Sequence, residues 1–174
     1  MNVVLTANLL IIIGQLIGLF ASTRNDKKQI LIWQCVSMAV MSSSSILLKG
    51  YSAVVQDVIS ITRNILSLCS LSSKGLQIAF VVAAVVLGIL FNNRGILGLL
   101  PMAATVSQNI VILNKDATKK QLQLACAFSA FCWVIYNLTI MAYAGAVLDS
   151  INGISYLYHA LRNEEETEGG SDGE

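Results

Sequence analysis

Charge is scarce in this 174-residue chain. Only 12% of its residues are Asp, Glu, Lys or Arg, about half of what a soluble domain carries. Proline occurs once, at Pro101, and histidine once, at His159. The four cysteines (Cys35, Cys69, Cys126, Cys132) form no C-x-x-C pair and fall inside apolar runs, where they read as membrane-core thiols rather than as a disulfide or metal site. A formal net charge of +1 gives no argument for a nucleic-acid partner. There is no nucleophile paired with a base, no metal cluster and no phosphate-binding glycine loop. The expectation is therefore a protein that is not an enzyme, with no catalytic residues, no metal and no cofactor.

What the chain has in abundance is apolar sequence. It is 55% hydrophobic, arranged in runs of roughly 16 to 21 residues between short polar connectors. Such runs match a hydrocarbon core of about 30 Å at 1.5 Å per residue. The alternating ten-residue pattern of a transmembrane barrel is absent. The fold class expected is an all-α polytopic membrane protein with the lipid bilayer as a partner. The first run lacks a basic segment before it and a small-residue cleavage site after it, so it reads as a retained helix rather than a signal peptide.

Seven spans are expected: Val3–Ala21, Ile30–Leu48, a third ending near Leu71, Gly75–Phe91, Ile96–Leu113, Gln121–Met141 and Ala142–Leu161. Gly14-x-x-x-Gly18 in the first allows close helix approach, with packing as its simplest role. Pro101 in the fifth is expected to free a carbonyl and mark a kink. The end of the chain, Asn163–Glu174, is acidic and glycine-rich and reads as disordered.

One stretch organises the rest. Tyr51–Asn64 (YSAVVQDVISITRN) lies in an apolar run yet carries Asp57, Arg63 and Asn64. Charges at bilayer depth cost ~2.5–3.5 kcal/mol each, so they mark polar cavities or pairs. The pattern returns 92 residues later at Tyr143–Tyr156 (YAGAVLDSINGISY), where Tyr51/Tyr143, Val55/Val147, Asp57/Asp149 and Ile59/Ile151 coincide. The same offset aligns Lys27-Lys28-Gln29 with Lys119-Lys120-Gln121, and Ser37 with Ser129. Eight of the 43 positions from 27 to 69 are identical, without a gap and with the connectors in register.

Helices 1–3 thus repeat as helices 5–7, and the fourth span is the inverter that keeps the two triplets parallel. The organisation expected is a first repeat over 1–71, a linker helix with its turns over 72–94, a second repeat over 95–162 and the tail over 163–174. With seven spans, Arg24, Lys27, Lys28, Lys74, Lys115, Lys119, Lys120 and Arg162 fall on one side, and Lys49 and Arg94 on the other. This bias puts the N-terminus outside and the C-terminus in the cytoplasm.

Asp57, Ser60 and Asn64 share one helical face, and Asp149, Asn152 and Tyr156 are their repeat mates. The two faces are expected to oppose each other and to hydrogen-bond a polar solute, a structural interhelical network being the alternative. Arg63, about 100° around the helix from Asn64, need not face the cavity and is expected to pair with Asp57 or Asp149. Two aspartates against one arginine would leave one carboxylate for a proton or a cationic solute. On the sixth helix, Trp133, Tyr136 and Asn137 stand where the second helix has Met41, Ser44 and Ser45, so the pocket would be asymmetric, with Trp133 able to stack on a ring. His159, near the cytoplasmic end, reads as an interfacial residue.

The 3+1+3 pattern resembles the sugar-transporting SWEET family and its relatives among vitamin-precursor transporters of the PnuC type. A nearer resemblance is carried by GQLIGLFASTRNDKKQILIWQ from Gly14, LLKGYSAVVQDVISITRN from Leu47, and WVIYNLTIMAYAGAVLDSINGISYLYHALR from Trp133. These look like the bacterial inner-membrane YgjV family, over nearly the whole chain except the acidic tail. The SWEET resemblance implies a solute site between the triplets, bounded by asparagines on helices 3 and 7 and by an aromatic, parts that fall to Asn64, Asn152 and Trp133. The Pro-Gln pair of the SWEET triplet is missing: the first helix has Gly14-Gln15, and Pro101 precedes Met102. The function expected is transport of a small polar organic solute, sugar-like or vitamin-precursor-like, by alternating access in the bacterial inner membrane. A homo-oligomer is compatible with this sequence. The other function class is a non-transporting adaptor whose acidic tail binds a partner.

Overall fold

The computed structural model describes residues 2–22, 27–69, 71, 73–113 and 118–168. Among these residues seven α-helices follow one another: α1 (Val3–Ser22), α2 (Lys27–Leu47), α3 (Tyr51–Leu68), α4 (Lys74–Leu90), α5 (Leu100–Leu113), α6 (Lys119–Thr139) and α7 (Tyr143–Glu168). A 3-10 segment, Gly95–Leu99, leads into α5. There is no strand among the described residues.

Helix ends follow local chemistry. Thr118 accepts from the Gln121 backbone N–H at 3.2 Å while the Gln121 side chain takes the Thr118 N–H at 3.1 Å, a reciprocal cap that starts α6. Ser73 caps α4 through the Leu76 N–H. Pro101 is the second residue of α5, preceded by the 3-10 segment. The expected mid-span kink is thus replaced by a helix start, the position where proline costs no hydrogen bond. The acidic end is also corrected: α7 continues through Glu168, while residues 169–174, like the expected connector positions 23–26 and 114–117, lie outside the described residues.

Burial is inverted relative to a soluble bundle. The buried side chains are mostly small or polar: Ala7, Ala21, Ala53, Ala84, Ala104, Ala127, Ala146 and Ala160, with Ser37, Ser44, Ser52, Gln56, Asn64 and Asn109. Leu5, Leu9, Leu16, Val82, Ile89, Phe128, Ile135, Val147 and Ile151 are exposed. Helices in lipid gain little by burying Leu against Leu, and associate through close packing of small residues and through polar contacts. Three helices are long and apolar enough to cross a membrane, over Val3–Ala21, Lys28–Leu47 and Lys120–Thr139; Lys74–Leu90 and Gly95–Val111 are shorter apolar segments. Gln56, Asp57, Arg63 and Asn64 lie within the 18 residues of α3 and lower its apolar character.

The packing order is a ring. α1 packs on α2, α2 on α3, α3 on α5, α5 on α6, α6 on α7, and α7 closes on α1. α4 stands outside, against α3 and α5. The thinnest seams are α1–α7 and α3–α5, so the ring divides into α1–α2–α3 and α5–α6–α7. Within the first half, Ser37 Oγ donates to the Gly14 carbonyl at 2.7 Å and Ser44 Oγ to the Ala7 carbonyl at 2.9 Å. A Cβ at Gly14 would sit 2.6 Å from Met41 Cγ, so α2 needs glycine there to approach α1.

The two halves share a detail of backbone. Lys49 and Met141, 92 residues apart, are the two non-glycine residues with positive φ among the described residues, at 57° and 61°. Each ends a helix in a left-handed turn. The Gly50 N–H returns to the Ser45 carbonyl, and the Ala142 N–H to the Asn137 carbonyl, both at 2.8 Å. Leu48 to Ser44 and Ile140 to Tyr136 continue the match.

Candidate functional site

The ring encloses a cavity of about 280 Å³. Every helix of the ring contributes to its wall: Ile11 from α1; Gln34, Ser37, Met38, Met41 and Ser45 from α2; Gln56, Asp57, Ser60 and Arg63 from α3; Thr105 and Gln108 from α5; Trp133 and Asn137 from α6; Gly145 and Asp149 from α7. α4 contributes nothing to this wall. The volume suits a small molecule, at the lower end of ligand sites, and the wall mixes polar groups with an indole and thioethers.

One end of the cavity is sealed. Ala7, Ile11, Leu48, Ala53, Tyr136, Ile140 and Ala142 form a buried apolar cluster, with Val4, Leu100, Trp133 and Ala144 against it. Hydrogen bonds between helix ends reinforce this seal. Asn8 on α1 donates through Nδ2 to the Met141 carbonyl at 2.9 Å and accepts from the Ala144 N–H at 2.8 Å, so one amide ties down the start of α7. Across the other seam, Ser52 Oγ donates to the Gly98 carbonyl. Asn93 Nδ2 reaches the Lys49 carbonyl at 2.8 Å and an Arg94 Nη reaches that of Leu48 at 3.3 Å. From this seal the wall runs toward Gln34, near the start of α2, and toward Arg63 and Gln108, in the last turns of α3 and α5. The cavity therefore extends toward the end that holds the connectors after α1, α3 and α5.

Within the wall, Asn137 Nδ2 donates to Asp149 Oδ2 at 2.8 Å. Gly145, one turn before Asp149, makes room for it, since a Cβ there would lie 2.8 Å from Asn137 Nδ2. Gln56 Nε2 donates outward to the Ala84 carbonyl of α4 at 3.1 Å, and its Oε1 has no partner. Trp133 meets Tyr136 edge-on, ring centroids 6.1 Å apart.

Of the residues singled out from the sequence, the cavity brings together Asp57, Ser60, Trp133, Asn137, Asp149 and Arg63. Arg63 does not form the expected ion pair with either aspartate; its Nη1 donates to Asn109 Oδ1 on α5 at 2.9 Å. Asn109 is buried and 46 residues from Arg63, and no local pattern announces the pairing. Asn64 is buried but turned toward Cys35 of α2 rather than into the cavity. Tyr136 is fully buried in the apolar seal.

Asn152 and Tyr156 are exposed on α7 and are absent from the cavity wall. The reason is the stripe Ala146, Gly153 and Ala160, buried at seven-residue intervals, which fixes the face of α7 that packs inward. A Cβ at Gly153 would be 3.2 Å from Ala130 Cβ of α6, so the contact is close. His159 is exposed as well. Gln34, Gln56, Thr105 and Gln108 join the site without having been assigned to it from the sequence. The signal for Gln56 was its amide beside Asp57 in an apolar helix, which demands a partner.

No curated protein and no solved structure matches the chain. A family profile does: that of the Imp-YgjV family, described as bacterial inner membrane protein, over residues 5–167. With nearly its whole length matched, the chain belongs to the YgjV family of bacterial inner membrane proteins.

Proposed function

We propose that the protein is a seven-span carrier that moves a small polar organic solute across the inner membrane by alternating access, without catalytic chemistry. The observation that carries this reading is the polar cavity shared by all six helices of the ring and sealed at one end. A structural hydrogen-bond network would fill its own interior. Here about 280 Å³ remains between the polar groups.

The repeat supports a mechanism. The paired left-handed turns at Lys49 and Met141 and the two thin seams favour two triplets, α1–α3 and α5–α7, with α4 as the linker, as in SWEET-like carriers. Rocking one half against the other would break the seal on one side and close the other. The lysine and arginine bias of the connectors argues that the sealed end faces outside and that the C-terminus is cytoplasmic. The cavity as described then corresponds to a state closed to the outside.

Uptake into proteoliposomes across a panel of sugars, polyols and vitamin precursors tests the reading. Saturable flux for at least one solute, reduced by Trp133→Ala, is expected; absence of flux for every solute overturns it. The continuation of α7 through the acidic residues to Glu168 favours a second reading, an adaptor whose acidic helix end binds a partner. Truncation after Arg162 separates the two, because a carrier keeps its flux and an adaptor loses its activity.

A further inference from the structure

We propose that the transported solute is a small organic cation, with an ammonium group held between Asp57 and Asp149 and its carbon skeleton against Trp133. The inference rests on the carrier reading and specifies its substrate class.

The two carboxylates enter the cavity from opposite halves of the ring, Asp57 from α3 and Asp149 from α7. Asp149 accepts one hydrogen bond, from Asn137 on its own half, which aims the carboxylate without supplying a charge. The one cationic side chain in the wall is Arg63, and it is engaged by Asn109. Arg63 also stands six residues beyond Asp57, roughly 9 Å along the helix axis at 1.5 Å per residue. Among the described residues the carboxylates therefore face the cavity with no ion pair, an expensive arrangement for charged groups unless a proton or a cation completes it.

Gln56 adds an independent sign. It is only 1% exposed, and its Nε2 is committed to the Ala84 carbonyl outside the ring. Gly88 keeps the amide in place, since a Cβ there would lie 3.1 Å from Nε2. The amide is thereby fixed with its oxygen, Oε1, as the group lacking a partner. The unpartnered polar atom beside Asp57 is thus an acceptor, on a residue that lines the cavity. The carboxylate oxygens of Asp57 and Asp149 can take the donors of a primary ammonium, and the indole of Trp133 offers the cation a further attraction. A neutral polyol supplies donors but no countercharge, and an anion meets the carboxylates with like charge.

The test uses three solutes with one ring and different ends: tyramine, its neutral alcohol tyrosol, and 4-hydroxyphenylacetate. Full-length protein in liposomes should take up tyramine at least tenfold faster than the other two, above the rate of protein-free vesicles. Asp57→Asn and Asp149→Asn should each lower tyramine uptake at least tenfold, and Asp57→Glu should restore part of it. Tyramine should raise the Tm of the purified wild-type protein, and less so that of folded Asp57→Asn. Tyrosol or the acid moving as fast as tyramine overturns the proposal. So does neutral-solute uptake driven by a proton gradient, with the carboxylates serving protons instead. Flux of myo-inositol with neither flux nor a Tm shift for tyramine also overturns it, while leaving the carrier reading standing. A tyramine-induced Tm shift abolished by Asp57→Asn, with no flux for any solute, upholds the cation site and overturns the carrier reading.

Discussion

Arg63 and Asn109 meet at 2.9 Å across the α3–α5 seam, a guanidinium and an amide oxygen that join the two halves of the ring beside the cavity. A hydrogen bond to a charged group contributes about 1.5–3 kcal/mol, and the guanidinium bears the loss if its acceptor disappears. Asn109→Leu is therefore expected to lower stability by about 2 kcal/mol. Asn109→Asp, which keeps an acceptor, should cost less. Thermal unfolding in detergent measures both, and equal Tm values for Asn109→Leu and wild type would show that the bond contributes nothing.

The fit between Gly145 and Asn137 gives a coupled prediction. A methyl at 145 collides with the Asn137 amide 2.8 Å away, and overpacking of this kind costs about 1–3 kcal/mol. Gly145→Ala should destabilise by that amount in the wild type and by less than half of it in an Asn137→Ala background. A double-mutant cycle on unfolding free energies reads the difference; strict additivity would mean that the two side chains do not compete for the space.

Gly50 closes the α2–α3 turn beneath Tyr136, and a Cβ there would fall 2.9 Å from the Tyr136 hydroxyl. Gly50→Ala should destabilise the sealed end by about 1–3 kcal/mol. Gly75, near the start of α4, has nothing within 4 Å of an added Cβ. Gly75→Ala should instead be neutral or stabilising by up to about 1 kcal/mol, because alanine is the better helix former. Opposite signs in the two Tm shifts are the expected result.

Lys49 and Met141 hold the same left-handed conformation at equivalent turns. A side chain in that region costs about 1–2 kcal/mol, a penalty that glycine escapes while adding unfolded-chain entropy. Lys49→Gly and Met141→Gly should each gain about 0.5–1 kcal/mol. The gains should match each other if the turns are equivalent, which chemical denaturation of the two variants would reveal.

The helices could be read from the sequence because polar residues punctuate the apolar runs, and the two left-handed turns at Lys49 and Met141 precede the stretches Tyr51–Asn64 and Tyr143–Tyr156 that echo each other at a constant offset. Asp57, Ser60, Trp133, Asn137 and Asp149 were legible as polar or aromatic intrusions in apolar surroundings. Asn152 and Tyr156 were misleading because helical periodicity gives which residues share a face but not which face turns inward. On α7 that choice belongs to Ala146, Gly153 and Ala160, residues with almost no hydropathic signature. The Arg63–Asn109 bond and the order of helices around the ring depend on contacts between distant segments, which no local pattern encodes. Pro101 was misplaced for a subtler reason: composition does not distinguish a 3-10 segment from the first turn of a long helix, so the true start of α5 at Leu100 was hidden.

Asn8 clasps the Met141 carbonyl and the Ala144 N–H, 133 and 136 residues further along the chain. During synthesis, six helices must emerge before that clasp has anything to hold. Until α7 arrives, α1 has one flank without its ring neighbour, and the cavity stands open along that side. A chain halted before residue 144 therefore lacks both the wall that α7 supplies and the anchor for Asn8. Closure of the ring is thus expected to coincide with emergence of α7.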